Sequence, residues 1–272
     1  MKISCCVFDL DGTLLTSENK ISDVDKATLK ELSLSGVKII IATGRCELQI
    51  KEYLHQLGVS DPAITCNGSC ISNPETHEIL HRRFLDPNDV RHIIDTAVSQ
   101  NLDYLFYTPD YVYHAYSSKR VKFFLSYNEN VREEFRVPIR QAENYPSEEG
   151  YKNILKILIH DDTSRIPEFQ DSFNKNNTLT IVSSGKNLID IMPDNTSKGN
   201  AVKILAEKLG IPICEVVAFG DSQNDEEMLR AAGFSVAMGN ADDSIKKICD
   251  YVTSSNDEYG ITKAIKHIRN DL

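Results

Sequence analysis

Near its start the chain places two aspartates one residue apart at the end of an apolar run. In VFDLDGTLLT (Val7–Thr16), Asp9 and Asp11 flank Leu10, and Gly12-Thr13 follows at once. Carboxylates gathered where a buried strand ends can hold a hard cation, attack an electrophile or move a proton. The plainer reading is a strand that runs into an Asp-Gly turn. Three further stretches share the same character. Thr43-Gly44 closes VKIIIA, Lys198-Gly199 opens KGNAVKILAEKLG, and Gly220-Asp221-Ser222-Gln223-Asn224-Asp225 follows EVVAF. Asp9, Asp11 and Asp221 offer oxygen ligands of the kind Mg²⁺ takes. Backbone amides after Thr43, with its hydroxyl, suit phosphate oxygens, and Lys198 supplies a point charge against a phosphoryl group. Singly, each has an ordinary explanation: Thr43 as a helix cap, Lys198 as a solvated helix start, Asp225 as complement to a helix dipole.

The elements that must carry these residues give the set its weight. ISCCVFDL (Ile3–Leu10) reads as a buried strand, and a helix follows with Ser22 as N-cap and Gly36 as stop. VKIIIA is a second apolar strand, a helix then runs to Leu57 and stops at Gly58, and AITCNG is a third short strand. After the middle of the chain the style returns. A helix runs from Lys198 to Gly210, and the strand EVVAFGD is followed by the helix NDEEMLRAAG. FSVAMG and YVTSS read as further short strands. Apolar strands alternating with helices predict a parallel sheet covered on both faces, whose ligands bind beyond the carboxyl ends of the strands. All four stretches lie at such ends or at the helix starts beyond them, so residues more than 200 positions apart are expected to converge.

The middle differs. ILHRRFL, LDYLFYT, YVYHAYS, ILKILIH, LTIVSS and LIDIMP are strand candidates in close succession, which predicts an antiparallel sheet with a few helices. The expected fold is α/β: a Rossmann-like parallel-sheet core over residues 1–83 and 187–272, with an inserted α+β cap over residues 84–186. IHDD (Ile159–Asp162) resembles a metal cluster but reads as solvated loop.

A length of 272 residues suits one large domain or two modest ones, and a net charge of −10 argues against nucleic acid or an anionic membrane as partner. No stretch approaches the roughly 20 apolar residues needed to span a bilayer, and the first residues carry no apolar signal segment. The seven cysteines form no CxxC pair. Cys66 and Cys70 have no matching second pair, so buried free thiols in a reducing cytoplasm are expected. No Walker loop, EF-hand loop or GxSxG elbow is present, and no sequence feature fixes an oligomeric state.

Together, FDLDGTLL, IATGR, SKGNAV and GDSQNDEEML resemble, in that order, the four motifs of the haloacid dehalogenase superfamily of phosphatases. CNG (Cys66–Gly68), VAMGNA (Val236–Ala241) and VTSSNDEYG (Val252–Gly260) resemble landmarks of its Cof-type subfamily, whose cap is of type IIB. The resemblance implies Asp9 as nucleophile and Asp11 as general acid and base. It implies Mg²⁺ held by Asp9, the Asp11 carbonyl and Asp221. Phosphate would be bound by Leu10, Thr43, Gly44, Lys198 and Asn224, with Asp225 behind them and Asn67 toward the substrate. The expected substrate is a small phosphate monoester. A phosphomutase or phosphotransferase, or a phosphate-ligand sensor without turnover, are the alternatives.

Overall fold

The computed structural model describes residues 2–145, 150–161, 165–173, 178–185 and 187–271. The chain divides into two compact units. The first comprises Met1–Thr43, Tyr53–His81 and Ser197–Leu272, and the second comprises Gly44–Glu52 and Arg82–Thr196.

In the first unit, β1 (Cys5–Phe8) pairs in parallel with β2 (Lys38–Ile41). Two short antiparallel strands follow, β3 (Ala63–Thr65) and β4 (Cys70–Ser72), and with β5 (Ile79–Arg82) they form a separate three-stranded sheet. The expected third parallel strand AITCNG is thus reduced to β3. It meets the main sheet through one parallel bridge, Ala42 to Ile64, before Cys66 and Asn67 turn left-handed at φ near +50°. ILHRRFL, grouped above with the middle strands, supplies β5 of this small sheet.

The second unit holds β6 (Asp103–Tyr107), β7 (Val112–His114), β8 (Ile139–Gln141), β9 (Lys156–His160), β10 (Leu179–Gly185) and β11 (Leu188–Pro193). Their order is β10-β11-β9-β6-β7-β8, antiparallel except for the β7–β8 pair. Alternation in β6 sends Tyr104 and Phe106 into a cluster with Val90, Ile93 and Ala97 of the helix Pro87–Ser99. The edge strand β8, with its charged IRQ sequence, gave no strand signal. The second junction falls at Thr196, not near Asn187, because β11 is hydrogen-bonded to both β10 and β9. Asp161 of the expected loop is buried and paired with Arg165 at 2.7 Å, and Asp162 lies outside the described residues.

The chain then completes the main sheet with β12 (Val216–Gly220), β13 (Phe234–Ala237) and β14 (Tyr251–Val252). The order is β14-β13-β12-β1-β2, every pair parallel, with Phe8 opposite Phe219. Cys5, Val7, Val216 and Ala218 face a cluster with Ala201, Val202 and Leu205 of the helix Lys198–Leu209. By strand alternation Phe8 and Phe219 lie on the opposite face, stacked with centroids 4.6 Å apart. Two central, fully apolar strands in this register bring Asp9 and Asp221 to the same edge of the sheet. Among the described residues no helix is long and apolar enough to cross a membrane. All seven cysteines are free thiols, five of them buried.

Candidate active site

Asp9 follows directly on β1, and its amide donates to the Phe219 carbonyl at 3.1 Å, which carries the strand pairing one residue further. Its side chain is 6% exposed. Opposite it stands Lys198, the first residue of its helix, whose N-cap Ser197 accepts from the Asn200 amide. The Lys198 ammonium is fully buried and donates at 2.6 Å to Asp9 Oδ1 and at 2.6 Å to Asp225 Oδ1. A solvated helix start is thereby ruled out for Lys198. Burial alone would depress its pKa, but the Asp225 and Asp9 carboxylates outweigh that and raise it.

Asp225 shapes the exit of β12. Its Oδ2 accepts the amides of Asp221 at 3.0 Å and Ser222 at 3.1 Å, while Oδ1 faces Lys198. The helix-start role and the site role therefore fall on one carboxylate. Gly220 is required here, since a Cβ on it would meet Asp225 Cβ at 2.6 Å. The expected helix from Asn224 begins as a 3₁₀ turn, Gln223–Asp225, before the α-helix Glu226–Ala231. Asp221 is half-buried and accepts from Thr13 Oγ1 at 3.0 Å. Thr13 was not singled out from the sequence, although its place in DLDGT was the available signal. Gly12, at φ +82°, passes so close that a Cβ would lie 2.4 Å from Asp221 Oδ2.

The structure therefore brings Asp9, Asp221 and Asp225 together, with ligand oxygens within 4.8 Å of one another. Burial, then the neighbouring carboxylates, push Asp9 well above the usual carboxylate range against the pull of Lys198. Burial and Asp225 raise Asp221 to about 7. Three clustered carboxylates against one ammonium leave an excess of negative charge on hard oxygen donors, which fits a divalent cation. Asp11 is exposed on the turn that follows, bridged to Leu15, and Leu10 is fully buried between the two aspartates.

Thr43 is buried where β2 ends. Its amide donates to the Ile64 carbonyl at 2.9 Å, and its own carbonyl accepts the Asn67 amide at 3.0 Å. It caps no helix: the next turn, Glu47–Gln49, is capped by Cys46, and the helix proper runs Lys51–Leu57. Gly44 falls in the second unit, where its carbonyl accepts from Lys156 Nζ at 2.8 Å. Lys156 is itself buried and paired with Asp190 at 2.9 Å, a partnership the sequence did not signal. Asn67, buried in its left-handed turn, accepts from Asn224 Nδ2 at 3.2 Å, so these two expected residues are neighbours.

A parallel sheet with this carboxylate and lysine constellation at its carboxyl edge is an arrangement suited to phosphoryl transfer. The model of the haloacid dehalogenase-like hydrolases matches residues 6–265, and the chain belongs to that family. It is 31% identical to the phosphatase YwpJ of Bacillus subtilis, over 96% of this chain and 98% of that protein. It is 30% identical to the 5-amino-6-(5-phospho-D-ribitylamino)uracil phosphatase YwtE of the same organism, over 98% of each. The solved structure of the subclass IIB sugar phosphatase BT4131 superimposes with a TM-score of 0.84 at 27% identity, over 99% of both chains. Within the family, the chain falls with the Cof-type phosphatases.

Proposed function

We propose that this chain hydrolyses small phosphate monoesters through a phosphoryl group carried transiently on Asp9, with Mg²⁺ as its cation. The observation that supports it is the buried Asp9 carboxylate at the end of the central strand, held by the buried Lys198 ammonium inside an acidic cluster. Asp9, Asp221 and the Asp11 carbonyl would hold Mg²⁺, since both Asp225 oxygens are engaged by Lys198 and the two amides. Bound there, the cation supplies positive charge that offsets repulsion between the carboxylate and the phosphate oxygens.

The residues divide the work. Asp9 attacks phosphorus in its ionised form; burial and the other carboxylates oppose that form, and Lys198 together with the charge of the cation would favour it. As the Asp9–phosphorus bond forms and the ester bond breaks, Asp11 gives its proton to the leaving oxygen. Asp11 then takes a proton from the water that attacks phosphorus and frees Asp9. Thr43, Gly44, Asn224 and the Leu10 amide are assigned to the phosphate oxygens, with Asn67 beside Asn224. Selection among esters is assigned to the inserted α+β unit. YwtE and BT4131 are named for a ribityl phosphate and for sugar phosphates. Sugar phosphates, nucleotides and phosphorylated cofactors are accordingly the substrates proposed here, met in the cytoplasm.

A phosphate-release screen over such esters with Mg²⁺, repeated in excess EDTA, tests the reading. Release continuing over many turnovers without an acceptor alcohol, and lost in EDTA, is expected; full activity in EDTA would refute the cation. Acid-quenched protein should carry labelled phosphate, absent in Asp9→Asn and accumulating in Asp11→Asn with p-nitrophenyl phosphate. Equal labelling of Asp9→Asn would refute the assignment of the nucleophile.

A further inference from the structure

The landmarks VAMGNA and VTSSNDEYG have no part in the chemistry above, yet the loops they form both reach the turn that carries Asp11. Asn240 Nδ2 donates to the Gly12 carbonyl at 2.8 Å, and Asn240 Oδ1 accepts the Asn256 amide at 3.0 Å. Asn256 Nδ2 in turn donates to the Leu15 carbonyl at 2.8 Å. Two residues beyond Leu15, the Ser17 amide donates at 2.8 Å to Oδ1 of Asp257, the neighbour of Asn256. Two side-chain amides, from the loops after β13 and β14, thus hold two carbonyls that bracket the segment after Asp11.

Packing does not account for this. Asn240 is exposed and Asn256 half-buried, so neither contact removes much apolar surface from water, and one exposed hydrogen bond adds little to stability. The turn is anchored on its inner side, where Thr13, Leu14 and Leu15 are buried and Thr13 Oγ1 donates to Asp221. The two amides add a hold at the Gly12 and Leu15 carbonyls. Gly12 has no side chain to anchor it, and the space a Cβ would take is filled by the Asp221 carboxylate. Asp11 itself is exposed. Proton transfer demands approach to within about 2.6–3.2 Å, so even a small shift of the Gly12 peptide beside Asp11 would place its carboxyl poorly.

We propose that Asn240 and Asn256 are positioning residues that clamp the 12–15 turn and so aim the Asp11 carboxyl at the leaving-group oxygen. The inference rests on the phosphatase reading and adds to it two residues that touch no substrate. It makes a selective demand. An alkyl leaving group needs the proton from Asp11, whereas p-nitrophenolate departs without one, so a loosened turn should slow the first and spare the second.

The test is rapid-quench measurement of first-turnover leaving-group release, with Mg²⁺, for Asn240→Ala, Asn240→Asp and Asn256→Ala. One alkyl phosphate and p-nitrophenyl phosphate are compared, with KM and thermal melts alongside. The alkyl rate should fall about tenfold, a share of the ~10²–10⁴ carried by a general acid, while the aryl rate stays within about twofold. KM and melting temperature should hardly move. Asn240→Asp keeps an acceptor for the Asn256 amide but loses the donor to Gly12, and should match Asn240→Ala. An unchanged ratio of alkyl to aryl rates, or equal loss on both esters, in a series whose wild type turns over, would overturn the clamp alone. A wild type that releases no phosphate from any ester would overturn the phosphatase reading and the clamp with it.

Discussion

Replacing Gly12 by alanine should separate folding from chemistry. The residue sits at φ +82°, and an added Cβ would stand 2.4 Å from Asp221 Oδ2 and 2.8 Å from its Cγ. Left-handed backbone costs alanine about 1–2 kcal/mol, which at this chain length lowers the melting temperature by about 2–8 °C. The collision is with the end of a side chain, so the fold can accommodate it by moving the carboxylate. To reach ordinary contact at 3.4 Å, the Asp221 oxygen must retreat by about 1 Å, which strains the 3.0 Å bond from Thr13 Oγ1. A misplacement of that size at a reacting centre costs on the order of 10²-fold in rate. The expected outcome is a folded Gly12→Ala protein whose kcat/KM falls about a hundredfold and whose Mg²⁺ titration shifts to higher concentration. The assay is phosphate release across a Mg²⁺ series, with a thermal melt on the same sample. Activity within about threefold of wild type at the same Mg²⁺ would refute the reasoning, because Asp221 would then tolerate displacement.

Lys198→Met leaves Asp9 and Asp225 buried without their shared cation and should cost about 3–5 kcal/mol in urea unfolding; added Mg²⁺ should restore part of it, and an unchanged midpoint would contradict the pairing. Asp221, raised to about 7 from an ordinary 3.8, stays protonated in the folded chain where the unfolded chain has ionised it. Its contribution to stability is therefore full below pH 3.8 and lost as pH rises through about 7, with Asp9 adding in the same sense. Thermal melts should accordingly show a larger Mg²⁺-induced rise at pH 8 than at pH 5; the reverse order would refute the sign. Asp25 accepts the Thr262 amide at 3.0 Å and its hydroxyl at 2.7 Å. Asp25→Ala should thus lose about 1–3 kcal/mol on melting while kcat stays unchanged, and a matching fall in kcat would contradict a purely structural role.

Much of the site was legible because it hangs on strand ends. An apolar run broken by Asp fixes where β1 and β12 stop, and parallel pairing forces those stops to one edge, so Asp9, Thr43 and Asp221 could be located before any contact was known. Ser22 and Gly210 marked helix limits through local capping chemistry, whereas the cap at Ser197 emerged only in the structure. Hidden from the sequence were the features decided by distant neighbours. Nothing in FDLDGT says that Thr13 will bond Asp221, or that Asn240 and Asn256 will reach back to the same turn. Thr43 looked like a cap because a helical pattern follows, yet the chain spends Gly44–Glu52 joining the other unit first. The junction near Asn187 failed for a similar reason. LIDIMP reads as a strand just past that position, and only its pairing with both β10 and β9 shows the chain turning back there within one sheet.

The sheet order has a consequence for how the chain is made. β1 leaves the ribosome before β2, which follows soon to cover one of its edges. Its other edge must wait for β12, with Phe219 opposite Phe8. That partner emerges about 210 residues later, which at about 5–20 residues per second is a delay of about 10–40 s. Every residue of the second unit is available before the first unit can join its two central strands. During that interval an apolar strand lies open along one side, a template for the wrong partner. The same insertion that divides the catalytic sheet in sequence therefore makes the nascent chain a client for whatever shields exposed strands during synthesis.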